Sequence, residues 1–293
     1  MTVSPRLIVG AFRVAWRVIP AVPERIAAPI VALLADMAWL RNGPGVQQLQ
    51  ANLARVVGVE PTSAAARTLA RQGMRSYARY WRELFAIASW DRPTLARHIR
   101  VEGTEHLDAA QARGAGVIVV TTHSGNWEAP AALLAPSLGG ATTVAERLRP
   151  DELFDTFVAA RERLGLEVLP HVGGARPAAR VLRERLEEGR VIALVSERDL
   201  SRRGVPVTFF GHPARMVGGP AMLALATGAA IVGAECFYDA GGAVCRFHPV
   251  TVSPDDTIET LTQRLADLYA RFIAAHPADW HMLQPIWVDE ERT

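Results

Sequence analysis

The residues best suited to chemistry lie in one short segment, Thr121-Thr122-His123-Ser124-Gly125-Asn126-Trp127-Glu128. An unperturbed histidine titrates near neutral pH, which makes His123 a candidate for taking a proton from a hydroxyl group. On one helix His123 and Glu128 would lie about 140° apart and could not face each other. We therefore expect His123 in a loop, with Ser124 or Gly125 capping a helix whose first turn contains Glu128. Spacing alone fits equally well with an interpretation in which neither residue does chemistry, His123 being an ordinary loop histidine and Glu128 an acid at the start of a helix.

The run before the histidine indicates where this loop lies. Val117-Ile118-Val119-Val120-Thr121 is continuously apolar, as expected for a strand buried in a parallel sheet. Ligands of open α/β sheets bind beyond the carboxyl ends of the strands. His123 is thus predicted at the edge where ligands usually bind.

The rest of the pattern predicts an α/β fold with a mostly parallel central sheet flanked by helices. Helical spacing predicts a helical section over residues 1–98, which we expect to contact the membrane and an acyl groove. Residues 99–293 are predicted to form the α/β core. We expect the two parts to form one compact domain. Predicted strands cover Val117–Thr121, Thr142–Ala145, Glu167–Leu169, Val191–Val195, Pro206–Phe209, Ala230–Phe237 and Ala243–Phe247. Predicted helices of the core cover residues 104–113, 126–135, 151–164, 176–188, 218–227 and 256–275.

Composition excludes several classes of protein. The net charge is +2, and the arginines alternate with acidic residues, so we expect no nucleic-acid partner. The two cysteines, Cys236 and Cys245, are too few for a disulfide framework, and they lack the C-x-x-C spacing of a metal or redox site. The histidines are scattered and form no His-Glu-x-x-His motif, so we expect no metal.

The first twenty residues have the pattern of a surface helix. Arg6, Arg13 and Arg17 fall on one narrow face opposite a wide apolar arc, and Arg13 and Arg17 interrupt what would be the apolar core of a signal peptide. The helix is either an interfacial anchor with Trp16 at the level of the lipid headgroups, or a helix packed on the protein core. The apolar stretch Ile26–Leu40 is too short to span a bilayer.

At the histidine segment the chain resembles a known family. His-x-x-x-x-Glu at a strand end is similar to the signature of glycerolipid and lysophospholipid acyltransferases, and His-Ser-Gly-Asn-Trp-Glu resembles its bacterial branch. That branch includes lipid A late acyltransferases and phosphatidylinositol mannoside acyltransferases, which this chain resembles most. Further matching blocks are Ser196-Glu197-Arg198-Asp199-Leu200-Ser201-Arg202-Arg203-Gly204, Phe209-Phe210-Gly211-His212, Gly219-Pro220-Ala221 and Ala278-Asp279-Trp280-His281.

The resemblance implies a reaction and roles for named residues. A long-chain acyl group, expected to be palmitoyl, would move from acyl-CoA to the 6-hydroxyl of a mannose in a phosphatidylinositol mannoside. His123 would be the general base, oriented by Glu197 as the carboxylate orients histidine in hydrolases. Glu128 would hold the start of the helix, although Glu128 as the direct partner of His123 stays open. With no G-x-S-x-G motif, direct transfer without an acyl-enzyme is expected, against a less favoured Ser124 nucleophile.

The resemblance also suggests how the substrates bind and where the reaction occurs. Arg161, Arg203 and Arg198 would clamp the phosphates of CoA, and Glu146 would contact the acceptor sugar. Acyl-CoA is a co-substrate and no cofactor is expected. The expected setting is the cytoplasmic face of the inner membrane, with the protein attached peripherally as a monomer. Alternatives are a lipid A-type late acyltransferase, an acyl-lipid-binding protein without turnover, and a thioester hydrolase.

Overall fold

The computed structural model of the chain describes residues 5–87, 89–147, 150–199 and 203–288, and in residues 5–9, 11 and 13 it describes the backbone alone. Between Pro5 and His98 the described residues are mostly helical, as the apolar spacing predicts. These helices are α1 (Pro5–Val18), α2 (Glu24–Arg41), α3 (Pro44–Val57), α4 (Ala64–Ile87) and α5 (Arg92–His98), with a 3-10 turn over Ile19–Ala21.

Local signals explain several ends of these helices. Pro44 stands in the first turn of α3, where its fixed φ fits and its missing N–H is not needed. Gly58 ends α3 in the left-handed region at φ 68°, a conformation that costs glycine little. Asp91 caps α5, because its side chain accepts a hydrogen bond from the backbone N–H of Thr94 at 2.9 Å.

A seven-stranded sheet forms the centre of the molecule, in the order β1-β9-β8-β2-β5-β3-β4. Strands β8, β2, β5, β3 and β4 run parallel to one another, and β9 pairs antiparallel with β8. Strands β6 and β7 form a separate hairpin. The strands are β1 (Ile99–Glu102), β2 (Val117–Thr121), β3 (Ala141–Ala145), β4 (Leu166–Pro170), β5 (Val191–Val195), β6 (Val205–Phe209), β7 (His212–Met216), β8 (Ala230–Asp239) and β9 (Gly242–Val250).

Helices cover both faces of this sheet. Leu107 and Ala110 of α6 pack with Val117 on one face, whereas Leu182 of α9 and Leu265 of α11 pack with the core on the other. The successive residues of β2 alternate between these two clusters, as the pleat requires. The helices are α6 (Thr104–Gln111), α7 (Glu128–Leu134), α8 (Asp151–Glu162), α9 (Ala178–Glu187), α10 (Gly219–Thr227) and α11 (Ile258–Ala275), followed by a 3-10 turn over Pro277–Asp279.

The N-terminal helices pack into the same core as the sheet. Leu49 and Leu53 of α3 are fully buried in the cluster that contains Ile118 of β2. Helix α1 contributes Phe12 and Trp16, and the Trp16 ring lies edge-on to Phe157 of α8 at 4.8 Å between centroids. Trp16 therefore packs on the protein. Arg17 of the predicted arginine stripe is exposed, and the side chains of Arg6 and Arg13 lie outside those described.

The predicted α/β fold, with its mostly parallel sheet and leading helices, is confirmed. The strands predicted at Val117–Thr121 and Val191–Val195 have these same bounds. Two strands are absent from the sequence prediction. Strand β1 is a four-residue strand at the sheet edge, too short for an apolar pattern, and β7 contains Pro213, which disfavours a strand because it has no N–H.

Within the described ranges, each helix is either too short or too polar to cross a lipid bilayer.

Candidate active site

The register of two central strands brings the candidate histidine and a glutamate together. Strands β2 and β5 are parallel neighbours, with Thr121 opposite Val195. The pairing continues past the strands, because the backbone N–H of Ser196 donates to the carbonyl of Thr121 at 3.1 Å. Two residues beyond the register pair, His123 and Glu197 thus lie opposite each other at the carboxyl edge of the sheet.

Glu197 binds His123 through one carboxylate oxygen. Its Oε1 accepts hydrogen bonds from the backbone N–H of His123 at 2.7 Å and from the ring Nδ1 at 2.8 Å. The indole N–H of Trp280 donates to the same oxygen at 3.3 Å. Glu197 is completely buried, which by itself raises the pKa of its carboxyl, but the charge and hydrogen bonds of His123 outweigh burial and hold that pKa below its ordinary value.

This pairing determines which ring nitrogen of His123 can act as a base. An ionised carboxylate only accepts hydrogen bonds, so Nδ1 carries the proton. Nε2 is then the nitrogen with the lone pair. The His123 side chain is 33% exposed and lines a cleft, so the arrangement can remove a proton from a group bound there.

The loop that carries His123 is held by the C-terminal segment. The backbone N–H of His281 donates to the carbonyl of His123 at 2.8 Å, and the N–H of Gly125 donates to the carbonyl of Asp279 at 2.9 Å. Gly125 has a φ of 55°, and a Cβ atom there would lie 2.7 Å from the backbone nitrogen of Phe237. Glycine is therefore required at this turn.

The N-cap position of the following helix is Trp127, whose side chain makes no capping bond, and Asn126, one residue earlier, bonds to the first turn instead of Ser124 or Gly125. The Asn126 Oδ1 accepts from the backbone N–H of Ala129 at 3.0 Å, and its Nδ2 donates to Glu83 at 2.8 Å. The expected cap is wrong because the Ser124 hydroxyl is engaged with the hydroxyl of Thr122 at 2.8 Å. Helix α7 begins later than predicted, at Glu128.

Glu128 is paired with an arginine, not with His123. Arg161 donates through both Nε and Nη2 to the two carboxylate oxygens, in a forked geometry. The pair is largely buried, with side chains 8% and 19% exposed. Burial lowers the pKa of Arg161, but the Glu128 charge more than offsets this and raises it above its ordinary value. Of the two carboxylates left open by sequence, Glu197 is the one in contact with His123.

A cleft of about 260 Å³ opens in front of His123. Glu128 and Arg161 form part of its wall, and Trp127 lies edge-on to the His123 ring at 5.3 Å between centroids. Glu146 and Arg198 line the rim and form an ion pair at 3.0 Å. The structure thus places four other predicted site residues, Glu128, Arg161, Glu146 and Arg198, around one cleft together with His123.

Two further cavities share walls with this cleft. A small apolar pocket of about 60 Å³ lies behind Trp127, and Trp127, Ala131 and Ala193 line both spaces. A larger groove of about 650 Å³ extends beyond Arg198, which lines both this groove and the cleft.

The remaining predicted site residues lie outside the cleft wall. Glu197 is buried beneath the cleft. Arg203 is exposed and is not among the residues lining the cleft or the groove, and Leu200, Ser201 and Arg202 of the same motif lie outside the described residues.

A second histidine, His281, is buried and supports the loop. The Ser76 hydroxyl lies 2.6 Å from Asp279 Oδ1 and 2.9 Å from His281 Nε2. Burial, followed by the nearby charge of His123, lowers the pKa of His281 to about 3, so this ring stays neutral. Burial raises the pKa of the Asp279 carboxyl.

Helix α4 also contributes to this site, which the sequence pattern did not predict. Ser76 and Glu83 are seven residues apart and therefore share a face of α4 with Tyr80, and both are buried. Polar residues on a face that is otherwise apolar were the available signal.

In the described residues, no three histidine, cysteine, aspartate or glutamate side chains are grouped to hold a metal ion.

Comparison with known proteins shows which family the chain matches. Residues 5–289 match the model of a family described as bacterial lipid A biosynthesis acyltransferase. The chain is 43% identical over 302 residues to a phosphatidylinositol mannoside acyltransferase of Mycolicibacterium smegmatis, covering 100% of this chain and 98% of that relative. It is 44% identical over 280 residues to the protein of the same description in Mycobacterium tuberculosis, covering 95% of this chain and 88% of the relative.

Proposed function

Because the chain belongs to the bacterial lipid A biosynthesis acyltransferase family, we propose that it moves a long-chain acyl group from acyl-CoA to the mannose 6-hydroxyl of a phosphatidylinositol mannoside. The names of relatives at 43% and 44% identity, matched over nearly their whole length, support this acceptor. The observation that carries the proposal is the hydrogen-bonded pair of His123 and Glu197 at the cleft. Palmitoyl is the expected acyl group.

In the proposed reaction, His123 acts as the general base. Nε2 removes the hydroxyl proton as the sugar oxygen attacks the thioester carbonyl, and the C–O bond forms. The imidazolium that results is stabilised by the ionised carboxylate of Glu197 on the other ring nitrogen. The C–S bond then breaks, and the imidazolium returns its proton to the departing CoA thiolate, which leaves the histidine neutral again.

Direct transfer is favoured over an acyl-enzyme on Ser124. The Ser124 side chain is buried, at 4% exposure, and its hydroxyl bonds to Thr122. His123 instead lines the cleft, where a bound hydroxyl could reach it. A serine nucleophile would need its oxygen exposed to the substrate and within hydrogen-bond reach of the base.

The cavities around the cleft suggest how acyl-CoA would lie. The apolar pocket behind Trp127, with a volume of about 60 Å³, suits the start of the acyl chain. The groove beyond Arg198 suits the CoA moiety, and of the three arginines predicted to bind its phosphates Arg198 is the one that lines this groove. In this arrangement Arg161 holds Glu128 and shapes the wall, and Arg203, which is exposed at the surface, would contact the nucleotide end.

The acceptor would enter from the side of helix α4. Glu146 is 58% exposed at the cleft rim, so its carboxylate can accept hydrogen bonds from sugar hydroxyls. Tyr80 and Trp81 of α4 line the same cleft. Aromatic rings of this kind offer flat apolar surfaces to the faces of a sugar.

An exposed apolar face of α2 supports peripheral attachment to the cytoplasmic face of the inner membrane. Ile30, Leu33, Leu34 and Leu40 are between 52% and 64% exposed and recur at the spacing of one helix face. Val14 of α1 is 60% exposed as well. Apolar side chains so exposed in one region indicate an interaction surface, and a lipid partner fits a helix lying in the interface plane.

Mass spectrometry of products from defined acceptors tests the proposed function. The purified protein would be incubated with palmitoyl-CoA and either a phosphatidylinositol mannoside or a lipid A precursor. The expected product is the mannoside heavier by one palmitoyl group, with fragments placing the ester at the 6-hydroxyl. Acylation of the lipid A precursor alone would instead support the lipid A-type alternative, and CoA release that does not depend on either acceptor would support a hydrolase.

A further inference from the structure

A further apolar groove lies between helices α2 and α4, separate from the cleft and the two cavities described above. Its volume is about 270 Å³, and its walls are formed by Leu34 and Ala38 of α2 and by Met74, Ala78 and Trp81 of α4. Among the described residues that line it, Arg82 is the one with a charged side chain, which is buried and paired with Glu24 at 2.8 Å. The groove therefore presents almost entirely hydrocarbon and aromatic surface.

One end of this groove meets the exposed apolar face of α2. Leu34 lines the groove and is 57% exposed as part of that face. Neighbouring Leu33, at 61% exposed, continues the face outward. A hydrocarbon chain in contact with the face could enter the groove without passing through water.

The groove and the cleft of the candidate active site share one wall. Trp81 lines both the groove and the cleft that contains His123. Tyr77, also a groove residue, lies 5.3 Å between ring centroids from His281, whose backbone holds the His123 loop. A single side chain, Trp81, thus contributes to both spaces.

We propose that the groove between α2 and α4 binds one fatty acyl chain of the acceptor glycolipid. The inference rests on the proposed function, which requires the sugar of a membrane lipid to reach His123. A groove that shares Leu34 with the exposed face of α2 and Trp81 with the cleft would hold that lipid by its own chain while its headgroup enters the cleft. The donor chain has a separate apolar pocket, behind Trp127, whose lining includes neither α2 nor α4.

Filling the groove provides the kinetic test. Ala78 is half-buried on one wall and Ala38 on the other, so Ala78→Trp and Ala38→Phe each occupy the space from a different helix. Ala109 is exposed on α6, and Ala109→Trp is the matched control. Each variant would be assayed with a diacyl phosphatidylinositol mannoside in vesicles and with methyl α-mannoside, which has no acyl chain.

The proposal predicts a change for one acceptor and not the other. Both groove variants should raise KM for the diacyl acceptor at least tenfold and leave kcat/KM for methyl α-mannoside within twofold of the wild-type value. The control should match the wild type with both acceptors. Equal losses with both acceptors, or unchanged kinetics with both, would overturn the proposal.

A binding measurement keeps the groove testable even if the proposed reaction is wrong. A phosphatidylinositol mannoside with a diazirine at the end of one chain would be photolysed with the full-length protein in phosphatidylcholine vesicles, and labelled residues identified by mass spectrometry. We expect labels on α2 and α4, lost in Ala78→Trp. Labelling confined to the pocket behind Trp127, or equal groove labelling by a diazirine phosphatidylcholine, would refute an acceptor site whether or not the protein transfers acyl groups.

Discussion

Oε1 of Glu197 accepts two hydrogen bonds from His123, one from its backbone N–H at 2.7 Å and one from its ring Nδ1 at 2.8 Å. The backbone bond fixes the loop and the ring bond fixes the orientation of the imidazole. Both bonds depend on the register of β2 and β5, which places the two residues opposite each other. One carboxylate can therefore set both the position and the protonation of the base.

Replacing Glu197 with glutamine should reduce catalysis more than substrate binding. The amide has nearly the same shape but no charge with which to stabilise an imidazolium, so we expect kcat to fall by about 10² to 10⁴-fold, the usual contribution of general acid–base catalysis. KM should change little, because Glu197 is buried beneath the cleft. Steady-state kinetics checks this, and a kcat within threefold of wild type would exclude the proposed role.

Replacing Glu128 with glutamine should instead affect stability. Arg161 would keep a largely buried charge without its carboxylate partner, and breaking such a pair typically lowers the free energy of unfolding by about 3 to 5 kcal/mol. The double variant Glu128→Gln with Arg161→Met should recover much of the loss, because no unpaired charge remains. Denaturant unfolding measures both. A fully stable single variant with a kcat as low as that of Glu197→Gln would show that Glu128 acts in the chemistry.

The buried His281 should make stability depend on pH. Its pKa falls from 6.5 to about 3 on folding, so the unfolded chain binds a proton there before the folded protein does. Stability from this group is complete above pH 6.5 and declines as the pH falls towards 3, with a slope of up to about 1.4 kcal/mol per pH unit.

The variant His281→Gln isolates this dependence. Glutamine cannot titrate, so the difference in free energy of unfolding between wild type and variant should be larger at pH 7.5 than at pH 4.5. Urea unfolding at the two values measures it. If wild type and variant differed in free energy of unfolding by the same amount at pH 7.5 and pH 4.5, a neutral, buried His281 would be contradicted.

Charges on the exposed face of α2 should weaken membrane binding. Burial of each leucine in lipid is worth about 1.5 to 3 kcal/mol, so Leu33→Glu with Leu40→Glu should lower the vesicle partition coefficient more than tenfold. Val57 on α3 is also exposed, at 43%, and Val57→Glu is the matched control. Co-sedimentation with anionic vesicles measures the partition, and equal binding by all three proteins would argue against α2 as the docking face.

The position of the base could be predicted because the signal is local. Val117–Thr121 is a continuous apolar run followed at once by the histidine, and the carboxyl edge of a parallel sheet is where ligands bind. Glu197 came from family resemblance, since no local pattern relates residues 74 positions apart. The structure gives the physical reason for this contact, because the register of β2 and β5 places His123 and Glu197 opposite each other.

Other parts of the site depend on contacts that sequence spacing does not encode. Arg161 reaches Glu128 from another helix, 33 residues away, so sequence left the role of Glu128 open. The bond from Asn126 to the first turn of α7 depends on the turn at Gly125, whose conformation is set by its close approach to Phe237. Ser76 comes from a helix in the first part of the chain, which local motifs near His123 could not indicate.

Acyl transfer by His123→Gln is the most direct test of the account. Transfer of labelled palmitate from palmitoyl-CoA to a phosphatidylinositol mannoside would be measured for wild type and variant, with thermal unfolding to confirm that both are folded. Glutamine can still donate a hydrogen bond to Glu197 but cannot take the proton, so kcat should fall by about 10² to 10⁴-fold. A folded variant that transfers palmitate at more than a tenth of the wild-type rate would contradict His123 as the general base.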